Sequence, residues 1–142
     1  MLNKDSTDET PFIAVVDDDV SVRYSTRRLL RAFGFRSEAF ASASEFLNSG
    51  HFRVTSCLVL DVRMHGMSGL ALQRHLTEMN YPIPIIFLAA GAEENERVRA
   101  MQNGAVHFLR KPTSEQSLIK AIQTALTPAP CLGPEMCLAV NH

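Results

Sequence analysis

The chain has 142 residues, enough for one domain with a substantial core. Its 14 basic residues face 15 acidic ones, a balance that argues against a nucleic-acid surface and predicts no direct contact with DNA. No apolar run reaches membrane-spanning length, the start M-L-N-K-D-S-T-D-E-T is unlike a signal peptide, and three widely spaced cysteines form no disulfide framework, so a cytoplasmic protein with no membrane contact is expected.

Residues 1–10 lack apolar periodicity and read as a flexible leader before a domain over 11–127. Residues 12–16 predict a first strand, which ends in Asp17, Asp18 and Asp19. Asp19 or Ser21 could cap the first helix, where Val22, Thr26, Leu29, Leu30 and Phe33 share a face and Gly34 ends it. A second strand is expected over about 36–40. Ser42-x-x-Glu45 reads as a capping box for a short second helix closed by Gly50. Cys57 to Leu60 is an apolar run of strand length, buried on both faces, and it breaks at Asp61. Cys57 itself is most simply a small core residue.

Ser68 can cap a third helix with Leu72, Leu76 and Met79 on one face. Pro82 and Pro84 bound a fourth strand, Ile85 to Leu88. Gly91 opens a loop into a polar fourth helix over about 93–103, carrying Glu93, Glu94, Glu96, Arg97 and Arg99, and Gly104 ends it. The fifth strand is expected over 106–109, and Thr113-x-x-Gln116 resembles another capping box. Leu118, Ile122, Ala125 and Leu126 then share a face of the fifth helix. Residues 128–142 hold three prolines and no helical period, so they read as a flexible tail. Cys131, Cys137 and His142 there are read as incidental rather than as metal ligands.

Strands alternate with helices five times, which predicts an α/β fold with a parallel sheet, helices on both faces and right-handed crossovers. Asp61 then sits at the carboxyl end of a central strand, at the crevice where such sheets bind ligands. Taken alone, it reads more simply as a structural cap of the next helix. Asp17 and Asp18 end another strand and would gather negative charge at the same edge, where carboxylates repel unless protonated or bridged. A hard cation with oxygen ligands, most plausibly Mg²⁺, meets that need, and Lys111 brings an ammonium. Neither G-x-G-x-x-G nor G-x-x-x-x-G-K-[ST] occurs, so nucleotide binding is poorly supported.

Taken together, D-D after the first strand, L-D-V-R-M-x-G-M-S-G after the third and K-P after the fifth resemble the receiver domain of two-component response regulators. The resemblance spans about Phe12 to Leu126. G-A-V-x-F-x-x-K-P and D-V-R-M-x-G-M-S-G are most similar to receivers whose output is a LuxR-type helix-turn-helix. It implies a flavodoxin-like sheet in the order 2-1-3-4-5. It implies that Asp61 takes a phosphoryl group from a histidine kinase, and no enzyme activity beyond this self-phosphorylation. Mg²⁺ would be held by Asp18, Asp61 and the backbone carbonyl of Arg63, with Asp17 acting through water. Lys111 would contact the phosphoryl group, and Ala89 and Phe108 would occupy the switch positions. The fourth helix, fifth strand and fifth helix would serve a homodimer or an effector.

Three positions depart from the family: Ala89 where Thr or Ser is usual, His65 where Pro usually follows Met, and Thr113 where Phe often follows Lys-Pro. Ala89 raises the alternative of a pseudo-receiver, a binding module whose output is weakly coupled to phosphorylation. A carboxylate-nucleophile phosphatase would want an acid two residues after the nucleophile, where Arg63 stands. His65 is read as an exposed loop residue, and the Arg63 side chain as directed to solvent. Whether the chain acts alone or is part of a longer regulator is left open.

Overall fold

The computed structural model describes residues 10–91 and 94–127. In chain order they form β1 (Phe12–Val16), α1 (Val20–Ala32), β2 (Arg36–Phe40), α2 (Ala43–Ser49), a 3-10 turn (His51–Arg53), β3 (Cys57–Asp61), α3 (Gly69–Glu78), β4 (Ile85–Ala89), α4 (Glu94–Gln102), β5 (His107–Arg110) and α5 (Glu115–Leu126). The five strands make one parallel sheet in the order β2-β1-β3-β4-β5, as the alternation and the resemblance implied.

Every residue of β1, β3 and β4 is buried, which is why these strands read as unbroken apolar runs. Successive side chains serve opposite faces. Ala14, Val16, Leu58, Leu60, Phe87 and Ala89 pack with Phe46, Leu72, Leu76 and Ala100 under α2, α3 and α4. Ile13, Val15, Val59, Ile86 and Leu88 pack with Leu30, Leu118, Ile119 and Ile122 under α1 and α5. The edge strands differ: β2 alternates and fully buries only Phe40, and no residue of β5 is fully buried.

The caps sort out the local alternatives. Asp19, not Ser21, caps α1, its carboxylate accepting the N–H groups of Ser21 (2.8 Å) and Val22 (3.4 Å). Ser42 accepts the Glu45 N–H, while Glu45 reaches back to the N–H of Ala41, one residue before the cap. Ser114, rather than Thr113, caps α5 by accepting the Ser117 N–H at 3.0 Å. Phe33 is a correction: it is 54% exposed, because the helix ends at Ala32 and Phe33 leaves the helical conformation (φ −98°, ψ 11°). The fifth strand runs from His107 to Arg110, one residue later than expected. Glu93, residues 1–9 and residues 128–142, with Cys131, Cys137 and His142, lie outside the described residues. Among the described residues, no helix is long and apolar enough to cross a membrane. Cys57 is buried in β3, and burial pushes its thiol up to about 12.

Candidate functional site

The parallel pairing of Val16 with Leu60 sets the chain after β1 beside the end of β3, so their acids meet at one sheet edge. Asp17, Asp18 and Asp61 each bring a carboxylate oxygen within 4.8 Å of the others. Asp17 and Asp61 are buried, whereas Asp18 is exposed at the rim. One Asp17 oxygen accepts the Asp19 N–H at 2.9 Å, and the other lies 2.9 Å from Lys111 Nζ. The same Nζ is 3.6 Å from Asp61 Oδ1, which also accepts the Arg63 N–H at 3.4 Å. The backbone positions the ammonium, since the Lys111 N–H donates to the Ala89 carbonyl at 2.8 Å. The Lys111–Pro112 peptide is cis.

This arrangement sets the protonation of its members. Burial, then the neighbouring Asp17 charge, push the Asp61 carboxyl up to about 6; Lys111 and the Arg63 N–H act against the shift. Burial works against the Lys111 ammonium, but the hydrogen bond and charge of Asp17, with Asp61, leave it raised overall. Three carboxylates against one ammonium leave two uncompensated negative charges, the charge of one divalent cation. An all-oxygen donor set of this size suits Mg²⁺.

Three neighbours of the site were not legible in the sequence. The Arg63 side chain is exposed, as expected, yet its Nη2 lies 3.2 Å from both carboxylate oxygens of Glu96 and ties the β3–α3 loop to α4. His65 is exposed as expected, yet its Nδ1 sits 3.2 Å from Asp18 Oδ2. Gly69 lies against the end of β3: its N–H donates to the Val62 carbonyl at 2.9 Å, and a Cβ there would strike the backbone oxygen of Asp61. A glycine in the first turn of a helix, where none is needed for capping, was the only available signal.

The two residues expected at switch positions lie on β4 and β5. Ala89 is buried at the end of β4, and its methyl faces the same side of the sheet as Phe87 and Phe108. Phe108 pairs in register with Phe87, their ring centroids 6.0 Å apart.

The sequence is similar to those of known proteins. A family model for the response regulator receiver domain matches residues 13–123. Nodulation protein W of Bradyrhizobium diazoefficiens is 48% identical over 113 residues, 80% of this chain and 50% of that protein. Response regulator protein TmoT of Ectopseudomonas mendocina is 43% identical over 123 residues, 87% of this chain and 56% of TmoT. Among solved structures, the response regulator StyR has a TM-score of 0.77 at 46% identity, covering 92% of this chain and 64% of StyR. FixJ-N has a TM-score of 0.75 at 33% identity, covering 84% of this chain and 97% of FixJ-N. The chain spans about half the length of the curated relatives it matches. Because the matched span takes in Asp17, Asp18, Asp61 and Lys111 together with the sheet that gathers them, the chain belongs to the response regulator receiver domain family of two-component signalling.

Proposed function

We propose that this chain is the phosphoacceptor of a two-component phosphorelay, taking a phosphoryl group from a histidine kinase onto Asp61 with Mg²⁺ at the acidic edge. The observation that carries this reading is the convergence of three carboxylates and one ammonium at the carboxyl end of the central strands. An Asp61 oxygen attacks phosphorus; the new O–P bond forms as the N–P bond of a phosphohistidine breaks, and that electron pair stays on the imidazole. Charge spreads over the phosphoryl oxygens, so positioning and neutralisation do most of the work. Lys111 Nζ, 3.6 Å from Asp61 Oδ1, is placed to pair with one of those oxygens. Asp18, Asp61 and the Arg63 carbonyl would hold the cation, which supplies further neutralisation when bound. Both Asp17 oxygens already have partners, which suits a role through water.

The test is Mg²⁺-dependent uptake of a single phosphoryl group from a small phosphodonor, read as intact mass. Titration followed by amide shifts should show Asp18→Asn binding Mg²⁺ at least about tenfold more weakly, the loss of one charged contact. Equal affinity in variant and wild type would count against the assignment.

Partners follow from the same reading. The proposed contact surface for a second copy or an effector is α4, β5 and α5, where Glu94, Glu96 and Arg97 give a polar face suited to a reversible contact. Relatives named transcriptional regulatory proteins, TdiR and FixJ, make control of transcription the proposed context, with this domain itself leaving DNA untouched.

Ala89 supports a second reading in which phosphorylation is weakly coupled to that surface. A hydroxyl there would give the phosphoryl group one more hydrogen bond, about 1.5–3 kcal/mol to a charged acceptor. In its place a methyl belongs to the core cluster that Phe108 packs against, so the activated packing of the ring meets less hindrance and the two states lie closer in energy. Ala89→Thr is expected to enlarge the shift of Phe108 and α4 signals on adding a phosphoryl mimic. A full shift in wild type, unchanged by the substitution, would sink the weak-coupling idea.

A further inference from the structure

We propose that the cavity at the amino edge of the sheet binds a small, neutral, planar molecule with one N–H donor, of the indole class. It lies beside the first residue of β4 and the residues that lead into β5, at the opposite end of the strands from the acids. The proposal is therefore independent of the phosphoacceptor reading. The cavity has a volume of about 570 Å³, within the range of small-molecule sites. Leu76, Tyr81, Ile83, Ile85 and Val106 form an apolar wall, and no described residue lining the cavity carries a charge. An ionised ligand would lose water there without gaining a counter-charge. The other cavity of this size is lined by Lys111 and Glu115 and adjoins the acidic edge.

Gln73 sets the polar requirement. It lines the cavity from α3 and is 2% exposed. Its Nε2 donates to the Ala100 carbonyl at 3.1 Å, and this fixes the amide orientation, because a carbonyl can only accept. Oε1 is the other end of that amide, buried with no hydrogen-bond partner among the described residues. The nearby Thr77 hydroxyl is committed elsewhere, since it donates to the Gln73 backbone carbonyl at 3.1 Å. A buried acceptor without a donor is costly, which favours a ligand that brings one. With the amide nitrogen already used, the complement is a group that only donates. An N–H on a flat apolar body meets that need, whereas a hydroxyl brings lone pairs that want partners of their own. Tyr81 adds an aromatic wall, its ring set edge-on to Phe52 with centroids 5.0 Å apart.

The competing explanation is a hydrated amide beside an ordinary cleft, which would take apolar molecules without regard to their donors. The experiment is titration of the full chain with indole and with 1-methylindole, followed by amide shifts. Indole is expected to move the Gln73, Ile85 and Val106 amides and to leave the Asp17 and Asp61 amides in place. 1-Methylindole, which lacks the donor, should bind at least about tenfold more weakly. Gln73→Met keeps an unbranched side chain without the acceptor and should bind the two molecules alike. Thr124 lines the cavity from an exposed position on α5, so Thr124→Phe should block both molecules while the melting temperature stays near that of wild type. That variant keeps the test readable if Gln73→Met fails to fold. Equal binding of the two molecules by wild type, a preference for indole that survives Gln73→Met, or indole binding that survives Thr124→Phe overturns the proposal. So do shifts confined to the cavity at Lys111, or contacts between the Tyr81 ring and residues 128–142 in the free chain, which would make the chain its own occupant.

Discussion

Asp61→Asn is expected to take up no phosphoryl group and, at neutral pH without divalent cations, to melt several degrees above wild type. The first half follows from removing the proposed nucleophile; labelling that survives would place the acceptor elsewhere. The second half follows from the electrostatics. Burial and the Asp17 charge hold the Asp61 carboxyl at about 6, above the usual carboxylate range. A raised acid means that the folded protein binds this proton more tightly than the unfolded chain. Stability from this group therefore falls as pH rises through about 4 to 6, and the full cost of about 1–3 kcal/mol is present above that range. Asparagine keeps the shape without the charge and avoids the cost. Lys111 loses one attraction but keeps Asp17 at 2.9 Å. Thermal melts in chelator near pH 7.5 and near pH 4 provide the check. The advantage of the variant should shrink at the lower pH and on adding Mg²⁺ at the higher. A variant less stable than wild type at pH 7.5 in chelator would mean that Lys111 attraction outweighs burial and Asp17 repulsion.

Gly69→Ala is expected to lower stability by about 1–3 kcal/mol, the usual range for overpacking, and to weaken Mg²⁺ binding. The added Cβ would meet the backbone oxygen of Asp61 and come within 3.1 Å of the Phe87 ring. Backbone cannot yield as a flexible side-chain end can, so α3 or the end of β3 must move, and Asp61 moves with it. The better helix propensity of alanine, about 1 kcal/mol, offsets only part of this. Gly34→Ala provides the contrast. Gly34 has φ +83° with nothing within 4 Å of a new Cβ, so its substitution strains the backbone far from the acids and should leave Mg²⁺ affinity alone. A Gly69→Ala protein as stable as wild type, with unchanged Mg²⁺ affinity, would contradict the close approach.

The sheet was legible because burial on both faces writes itself into composition. Ile13 to Val16, Cys57 to Leu60 and Ile85 to Leu88 are runs too short for helices and bounded by Asp or Pro, and all three are buried strands. The acids at the ends of β1 and β3, with Lys111 after β5, were legible for the same reason: a strand end is a local event. Family membership rested on three such ends in order, and the family model matches that span. Capping was less secure where two hydroxyl residues stand together. Thr113 and Ser114 each offer an oxygen, and only the backbone path after Pro112 selects Ser114. Phe33 fitted the spacing of a core residue, but the spacing did not show that the helix stops one residue earlier.

Tertiary structure alone decided what crosses the acidic edge. Arg63 meets Glu96 over 33 positions, His65 meets Asp18 over 47, and Gly69 lies under the Asp61 carbonyl. None of these contacts leaves a period or a cap in the sequence. Each depends on how the loops after β1 and β3 and the start of α4 lie above a sheet whose register is set elsewhere. The raised Asp61 carboxyl arises in the same way, since its causes are burial and a charge brought over from β1. Hydrophobic pattern reports which face of an element is covered, whereas the direction of a polar side chain on a loop is fixed only once the covered faces have packed.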